Sequence, residues 1–276
     1  MDIGPLVIIG GKEDKTRTPE ILLQFVKLIQ KSHRRDAVGV VTTASQLEEQ
    51  VFRTYQHAFE DIGMVRVEPV IIDSRAEANA PFWYQRVTEL GALFFAGGDQ
   101  LRITSLLGGT VFDMALHQAF REGLIIAGTS AGAAMMSTTM IVEGEQDDIP
   151  TKSSVRLATG MGLWQHTVVD QHFTQRGRLG RLLAALAQNP GVLGVGIDED
   201  TAIFVDQDRE WLEVWGSQTV SILDGRSIGE SNVHSTPLGQ PLSITHVTLH
   251  VLSKGYGFHL KTRQPMRVEE EDSGEY

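Results

Sequence analysis

The chain has no cysteine among its 276 residues, which excludes disulfides, thiolate metal sites and cysteine nucleophiles together. Any nucleophilic chemistry must then use oxygen or nitrogen. The chain also lacks a run approaching the roughly 18 to 20 uninterrupted apolar residues that span a bilayer; Leu90 to Ala96, among the longest, runs into glycines and a charge. A soluble protein with no membrane partner is expected. The opening residues Met1-Asp2-Ile3-Gly4-Pro5 carry neither the basic flank nor the long apolar stretch of a secretory signal, so a cytoplasmic location is the expectation. Positive charge is in deficit: 24 Lys and Arg stand against 35 Asp and Glu, a formal net charge of -11. Such a mean field repels nucleic acid and suits a cationic substrate. Repeats, low-complexity linkers and composition breaks are missing too, which predicts one α/β domain over residues 1–276. The acidic, glycine-broken end, 268–276, is expected to fray.

What is present is an alternation of short apolar runs with amphipathic stretches, the pattern of a mainly parallel central sheet flanked by helices. Leu6 to Gly10, Ala37 to Thr43, Val67 to Asp73, Gly91 to Ala96 and Leu124 to Ala127 read as strands. Thr18-Pro19-Glu20 predicts a cap, a first-turn proline and a first-turn acid for a helix whose face carries Ile21, Leu22, Phe25, Val26 and Ile29. Ser45 and Glu48 have capping-box spacing before a face of Leu47, Val51, Tyr55 and Phe59. Further helices are predicted around Pro81 to Leu90, Gln100 to Leu107 and Val111 to Arg121. After Gly191 the strands crowd together (Thr201 to Val205, Trp211 to Trp215, Thr219 to Leu223, Ile244 to Leu252), which predicts an antiparallel C-terminal extension of the same sheet.

The most informative stretch is Leu124 to Ala134, where a strand runs into Gly128-Thr129-Ser130-Ala131-Gly132 and then a helical segment. Gly-x-Ser-x-Gly in that context is a nucleophile elbow. The serine is held in a strained turn at the strand's carboxyl end, and its neighbours are small because strand and helix meet sharply. Ala131 is placed to donate its N–H to an oxyanion, and a second donor is sought in Phe95-Ala96-Gly97-Gly98-Asp99-Gln100, with Gly98 the candidate. A hydroxyl needs a base. Of nine histidines, His172 stands in a polar cluster, Asp170 to Arg178, after the strand-like Thr167-Val168-Val169. Glu199, Asp200 and Asp170 are all open as the orienting acid, and a Ser, His, acid order differs from that of the α/β-hydrolases.

Taken together, Val7-Ile8-Ile9-Gly10-Gly11-Lys12-Glu13-Asp14, the Gly97-Gly98-Asp99-Gln100 turn, the elbow, Asp170-Gln171-His172-Phe173-Thr174-Gln175-Arg176-Gly177-Arg178-Leu179 and Gly196 to Ala202 resemble the cyanophycinases, serine peptidases grouped with the aspartyl dipeptidases. The resemblance implies a glutamine-amidotransferase-like sandwich, with Ser130 as nucleophile, His172 as base and Glu199 as acid. It implies cyanophycin as substrate: a polyaspartate backbone bearing arginine on each β-carboxyl, cut at its α-peptide bonds to release β-Asp-Arg. No metal or organic cofactor is implied, and a homodimer is. Arg176 and Arg178 stand where they can meet an aspartyl carboxylate, with Asp99, Gln100, Asp170 and Gln171 as further polar contacts. The acidic run Glu143, Glu145, Asp147 and Asp148 reads as a solvated loop or an attractor of arginine side chains.

Two other readings stand beside this one. A peptidase specific for N-terminal aspartate would share the triad. A nucleotide-binding α/β domain is suggested by Ile9-Gly10-Gly11-Lys12, but the chain has neither Gly-x-x-x-x-Gly-Lys-Ser/Thr nor a strand-to-helix Gly-x-Gly-x-x-Gly.

Overall fold

A computed structural model describes residues 3–64, 66–143 and 149–268. Glu145, Asp147 and Asp148 of the acidic run, and positions 269–276 of the acidic end, lie outside the described residues.

The first half builds five parallel strands: β1 (Leu6–Ile9), β2 (Val38–Val41), β3 (Val67–Val70), β4 (Ala92–Phe95) and β5 (Ile125–Thr129). A small hairpin follows, β6 (Thr139–Glu143) with β7 (Arg156–Thr159), and then the parallel pair β8 (Thr167–Gln171) and β9 (Leu193–Ile197). The last six are β10 (Thr201–Asp206), β11 (Trp211–Gly216), β12 (Thr219–Asp224), β13 (Thr248–Ser253), β14 (Tyr256–His259) and β15 (Gln264–Arg267).

Nine of these form the large sheet, in the order β15-β14-β11-β10-β1-β5-β4-β2-β3, parallel from β1 to β3 and antiparallel from β10 outward. The predicted parallel half and its antiparallel extension are therefore present. The extension is only partly as expected, because β12 and β13 leave the large sheet and join β9 and β8 in a second, four-stranded one.

Burial follows from strand alternation. Val7, Val40 and Phe94 face helices Glu20–Lys31 and Glu48–Asp61, which bury Leu22, Phe25 and Phe59 against them. The opposite face, carrying Leu6, Ile8, Phe95 and Ile126, packs on Phe112 and Leu116 of helix Val111–Arg121 and on Val169, Val195 and Ile222 of the second sheet. The far side of that sheet, Val168 and Leu223, is covered by Leu182 and Leu186 of helix Leu179–Gln188. Each fully buried side chain of this kind contributes roughly 1.5–3 kcal/mol, so the two sheets are held face to face by apolar packing. No helix among the described residues is long and apolar enough to cross a membrane.

Helices Gln100–Leu107 and Val111–Arg121 have the predicted bounds, and Asp99 and Thr110 cap them. Two predicted caps are absent. Ser45 accepts from Leu47 N in a local turn and leaves Glu48 to pair with Arg102, while Thr18 is drawn to Asp14, whose carboxylate accepts from the backbone of Thr16, Arg17 and Thr18. In both places a neighbouring loop outcompetes the local signal.

Candidate active site

The site lies where the two sheets meet. β1, β4 and β5 run in parallel register, bringing Ile9 beside Thr129 and Phe95 beside Gly128, so their following loops open at one edge. β8 and β9 likewise pair Gln171 with Ile197. The chain crosses from the second sheet to the first between Ile197 and Thr201, and this crossing stitches the two loop clusters together. His172 N donates to Gly10 O, Gly10 N to Thr201 O, Ser130 N to Ile9 O and Asp200 N to Gly11 O.

Ser130 occupies φ 53° and ψ -110°, between β5 and the short helix Ala131–Ala134. A β-carbon there strains the backbone by roughly 1–3 kcal/mol. The contacts explain why the neighbours are glycines: a Cβ on Gly128 would lie 2.3 Å from Gly132 O, and one on Gly132 would lie 2.2 Å from Phe95 O. Ala131 heads the helix, where an N–H has no intrahelical acceptor. Gly98 sits at φ 146° and presses on Ala44, and a Cβ on its neighbour Gly97 would approach Ser130 Cβ to 3.3 Å. The glycine turn thus borders the serine.

Ser130 Oγ is 3.0 Å from His172 Nε2, and His172 Nδ1 is 2.8 Å from Glu199 Oε1. A carboxylate only accepts, so Nδ1 carries the proton and Nε2 is left bare toward the hydroxyl. His172 is buried, and burial, joined by the charges of Arg176 and Arg178, pushes its pKa below the ordinary imidazole value against the opposing pull of Glu199. It is therefore neutral at neutral pH. Partial burial alone would raise Glu199, but hydrogen bonds from Lys12 and His172 hold its carboxyl below the usual range. Of the three candidate acids, only Glu199 touches the imidazole. Asp200 instead accepts from Asp14 N and the Ser217 hydroxyl, and Asp170 is buried beneath the site.

The remaining candidates separate by exposure. Arg176 is exposed on the turn after the histidine. Arg178 is buried, donating to Gln171 through its backbone carbonyl and side-chain oxygen. Burial lowers its pKa to about 10, which still leaves a full cation at neutral pH. Asp170 takes a two-pronged contact from Arg181 and a longer one from Arg178 at 3.4 Å. Asp170 and Gln171 thus hold the arginines rather than face solvent. Asp99 is exposed and caps its helix, and Gln100 donates its amide to the Ile141 and Val142 carbonyls, tying β6 to the site.

Several residues of the motif blocks quoted from the sequence were given no role there. Gly11, at φ 104°, lies under the imidazole, and a Cβ on it would sit 2.3 Å from His172 Cε1. Lys12 Nζ is 2.9 Å from the same Glu199 oxygen that receives His172. Glu13 is buried, accepts from the Tyr55 and Thr129 hydroxyls at 2.6 Å each, and pairs with Lys15. Burial and then the Glu13 charge push the Tyr55 hydroxyl well up, so it remains a donor. Asp198 accepts from the backbone and hydroxyl of both Thr174 and Thr219, fastening the turn after the histidine to β12. Gln175 receives Glu199 N, and Gly196 leaves room for the Phe173 ring. Their legible signals were membership of those blocks and position, just beyond the carboxyl ends of β1, β8 and β9.

Comparison with known proteins gives the family and the fold. The profile of peptidase family S51 matches residues 6–212. A cyanophycinase of Synechococcus elongatus is 40% identical over 263 residues, covering 95% of this chain and 80% of that protein. A cyanophycinase of Geminocystis herdmanii is 35% identical over 263 residues, covering 95% of each. The crystal structure of a peptidase from an acI-B1 actinobacterium superposes with a TM-score of 0.68 at 19% identity, covering 97% of this chain and 98% of that one, and shares the fold.

Proposed function

The chain belongs to peptidase family S51 and is a peptidase, and from that premise we propose that it hydrolyses the backbone of cyanophycin with Ser130 as nucleophile, His172 as general base and Glu199 as orienting acid. The observation that carries the proposal is the continuous chain of short contacts from Ser130 Oγ through the imidazole to Glu199, centred on a histidine kept neutral by burial. Ser130 Oγ attacks the carbonyl carbon of an aspartyl α-peptide bond while His172 Nε2 takes its proton. The oxyanion that forms is held by the N–H groups of Gly98 and Ala131. As it collapses, the imidazolium returns the proton to the departing amine. The acyl-enzyme is then opened by a water that His172 deprotonates.

Arg176 is the exposed cation at the rim and Arg178 the buried one behind it, together suited to a substrate carboxylate, which the polymer carries on its arginine units and its terminal aspartate. Asp170 and Gln171 act through the arginines they hold. Asp99 and Gln100 border the opposite side, where Asp99 offers an exposed carboxylate to a substrate guanidinium. Cytoplasmic location and a single catalytic unit over 1–276, both expected from the sequence, and a homodimeric state, which rests on the family resemblance alone, complete the proposal.

The test is product analysis on purified cyanophycin, run beside α-Asp and β-Asp dipeptides. Release of β-Asp-Arg from the polymer is expected, and Ser130→Ala should lower turnover by roughly four orders of magnitude or more with an unchanged melting temperature. Cleavage of N-terminal-aspartate dipeptides with the polymer left intact would replace cyanophycin as substrate. Full turnover by Ser130→Ala would remove the nucleophile.

A further inference from the structure

The loop after β1 meets every member of the triad, and one of its side chains has no place in the mechanism above. Ile9 O holds the nucleophile's amide, Gly10 O holds the base's amide, and Gly11 packs under the base's ring. Lys12 comes next. Its backbone stands at φ 49°, directly after Gly11 at φ 104°, so two successive left-handed residues turn the chain beneath the imidazole and send the lysine side chain to Glu199. The ammonium reaches Glu199 Oε1 at 2.9 Å, and His172 Nδ1 reaches that same atom at 2.8 Å. One carboxylate oxygen is therefore shared between the lysine ammonium and the group that must become a cation during turnover.

We propose that Lys12 is a positioning residue that sets the working pH of the base by competing with His172 for a single oxygen of Glu199. This inference rests on the triad proposed above. When His172 takes the serine proton, the imidazolium gains from the Glu199 charge, and a second positive charge on the same oxygen reduces that gain. Among the described residues, the charged groups around the imidazole are Glu199 from the β9–β10 crossing, Lys12 from the β1 loop, held on the Glu199 oxygen, and Arg176 and Arg178 from the turn after β8. Three of the four are cations. Arg178 is buried and held by Gln171 and Asp170, so its charge cannot move away. Lys12 and Arg176 are both exposed, so salt screens both, and Lys12 is the one that also touches Glu199. The ammonium also keeps Glu199 ionised when the pH falls. The geometry thus defines a base adjusted toward acid pH, with the carboxylate protected over the same range.

The experiment compares the pH dependence of kcat/KM on a soluble oligomer of β-Asp-Arg units for the wild type, Lys12→Met and Lys12→Arg, at low and at high salt. Lys12→Met keeps the side-chain length and removes the charge. Its acid limb should move to higher pH by roughly half a unit at low salt, while the plateau above the limb stays within about twofold. Lys12→Arg should restore the wild-type limb, and salt should raise the limb more in the wild type than in Lys12→Met, where only the exposed Arg176 remains to be screened. A purely structural lysine would instead lower the plateau, or the melting temperature, without moving the limb. Superimposed limbs for wild type and Lys12→Met, or a Lys12→Arg limb that follows Lys12→Met, overturn the inference. Ser130→Ala assayed in parallel separates the two levels: if it is inert and the Lys12 limbs coincide, only the role of Lys12 falls; if it is active, the triad itself falls.

Discussion

The nucleophile and its base are built in opposite ways. Ser130 owes its geometry to its immediate neighbours: a strand, a sharp turn and a four-residue helix, packed closely through Gly128 and Gly132. His172 owes its geometry to residues far from it in the chain. Its amide is bonded to Gly10, its ring rests on Gly11, its Nδ1 meets Glu199, and its strand is underlain by the buried Asp170, Arg178 and Arg181 group. A serine elbow is therefore a local device that any suitable strand can carry. A base arm is a tertiary device, and it can fail without any change near the histidine itself.

The sharpest way to break the contrast is Gly11→Ala. The added methyl has no room beneath the imidazole and meets a backbone at φ 104°, so the ring is displaced while the elbow, one loop away, is untouched. A displacement of about 1 Å costs on the order of a hundredfold in rate, so a loss of roughly 100- to 1000-fold in kcat is expected. Acylation of Ser130 by a fluorophosphonate, followed by mass spectrometry, should slow in parallel, since the serine can react only when its base is in reach. A variant acylated at the wild-type rate would show that the base arm tolerates more movement than its packing implies.

Arg181→Met attacks the same arm through stability. It removes the two-pronged partner of the buried Asp170 and leaves that carboxylate with the Gln171 N–H and a longer contact to Arg178 as its only cation. Stripping one partner from a buried ion pair destabilises by about 3–5 kcal/mol, read as a fall in the urea midpoint with little change in slope. Adding Asp170→Asn should recover much of the loss, because no isolated charge then remains. Equal midpoints for Arg181→Met and the wild type would mean the cluster contributes no net stability.

The smallest expected effect is that of pH. The acid limb of kcat/KM should lie below 6.5, the ordinary imidazole value, because burial and then the nearby arginines depress His172. The sign for stability follows. A base whose folded pKa is lowered binds fewer protons folded than unfolded between its folded pKa and 6.5, so stability rises with pH through that window and is flat above it. Titration of the imidazole signal by NMR in Ser130→Ala checks both statements, and a midpoint at or above 6.5 contradicts them.

Much of the large sheet was legible. The apolar runs of β1, β2, β4 and β5 are buried on both faces, a condition that leaves a near-continuous hydrophobic signature. Helices Gln100–Leu107 and Val111–Arg121 carry their caps in sequence, and both are where the pattern predicts. The Ser45 and Glu48 spacing pointed to a cap that does not form, because Glu48 is claimed by Arg102, fifty-four residues along. The strands β12 and β13 are six-residue runs like β10 and β11, and no local property says which sheet each will join. Asp170, Glu199 and Asp200 were equal candidates for the acid on residue type, and only their surroundings separate them.

By itself, then, the sequence determined the β/α alternation and the serine turn, since strand periodicity and the steric demand for small residues act over a few neighbouring positions. Tertiary structure decided which carboxylate meets the imidazole, which strands form the second sheet, and that Gly11 and Lys12 belong to the site. Those outcomes depend on where two sheets come into contact, and that contact is set by the packing of apolar faces contributed by residues scattered along most of the chain.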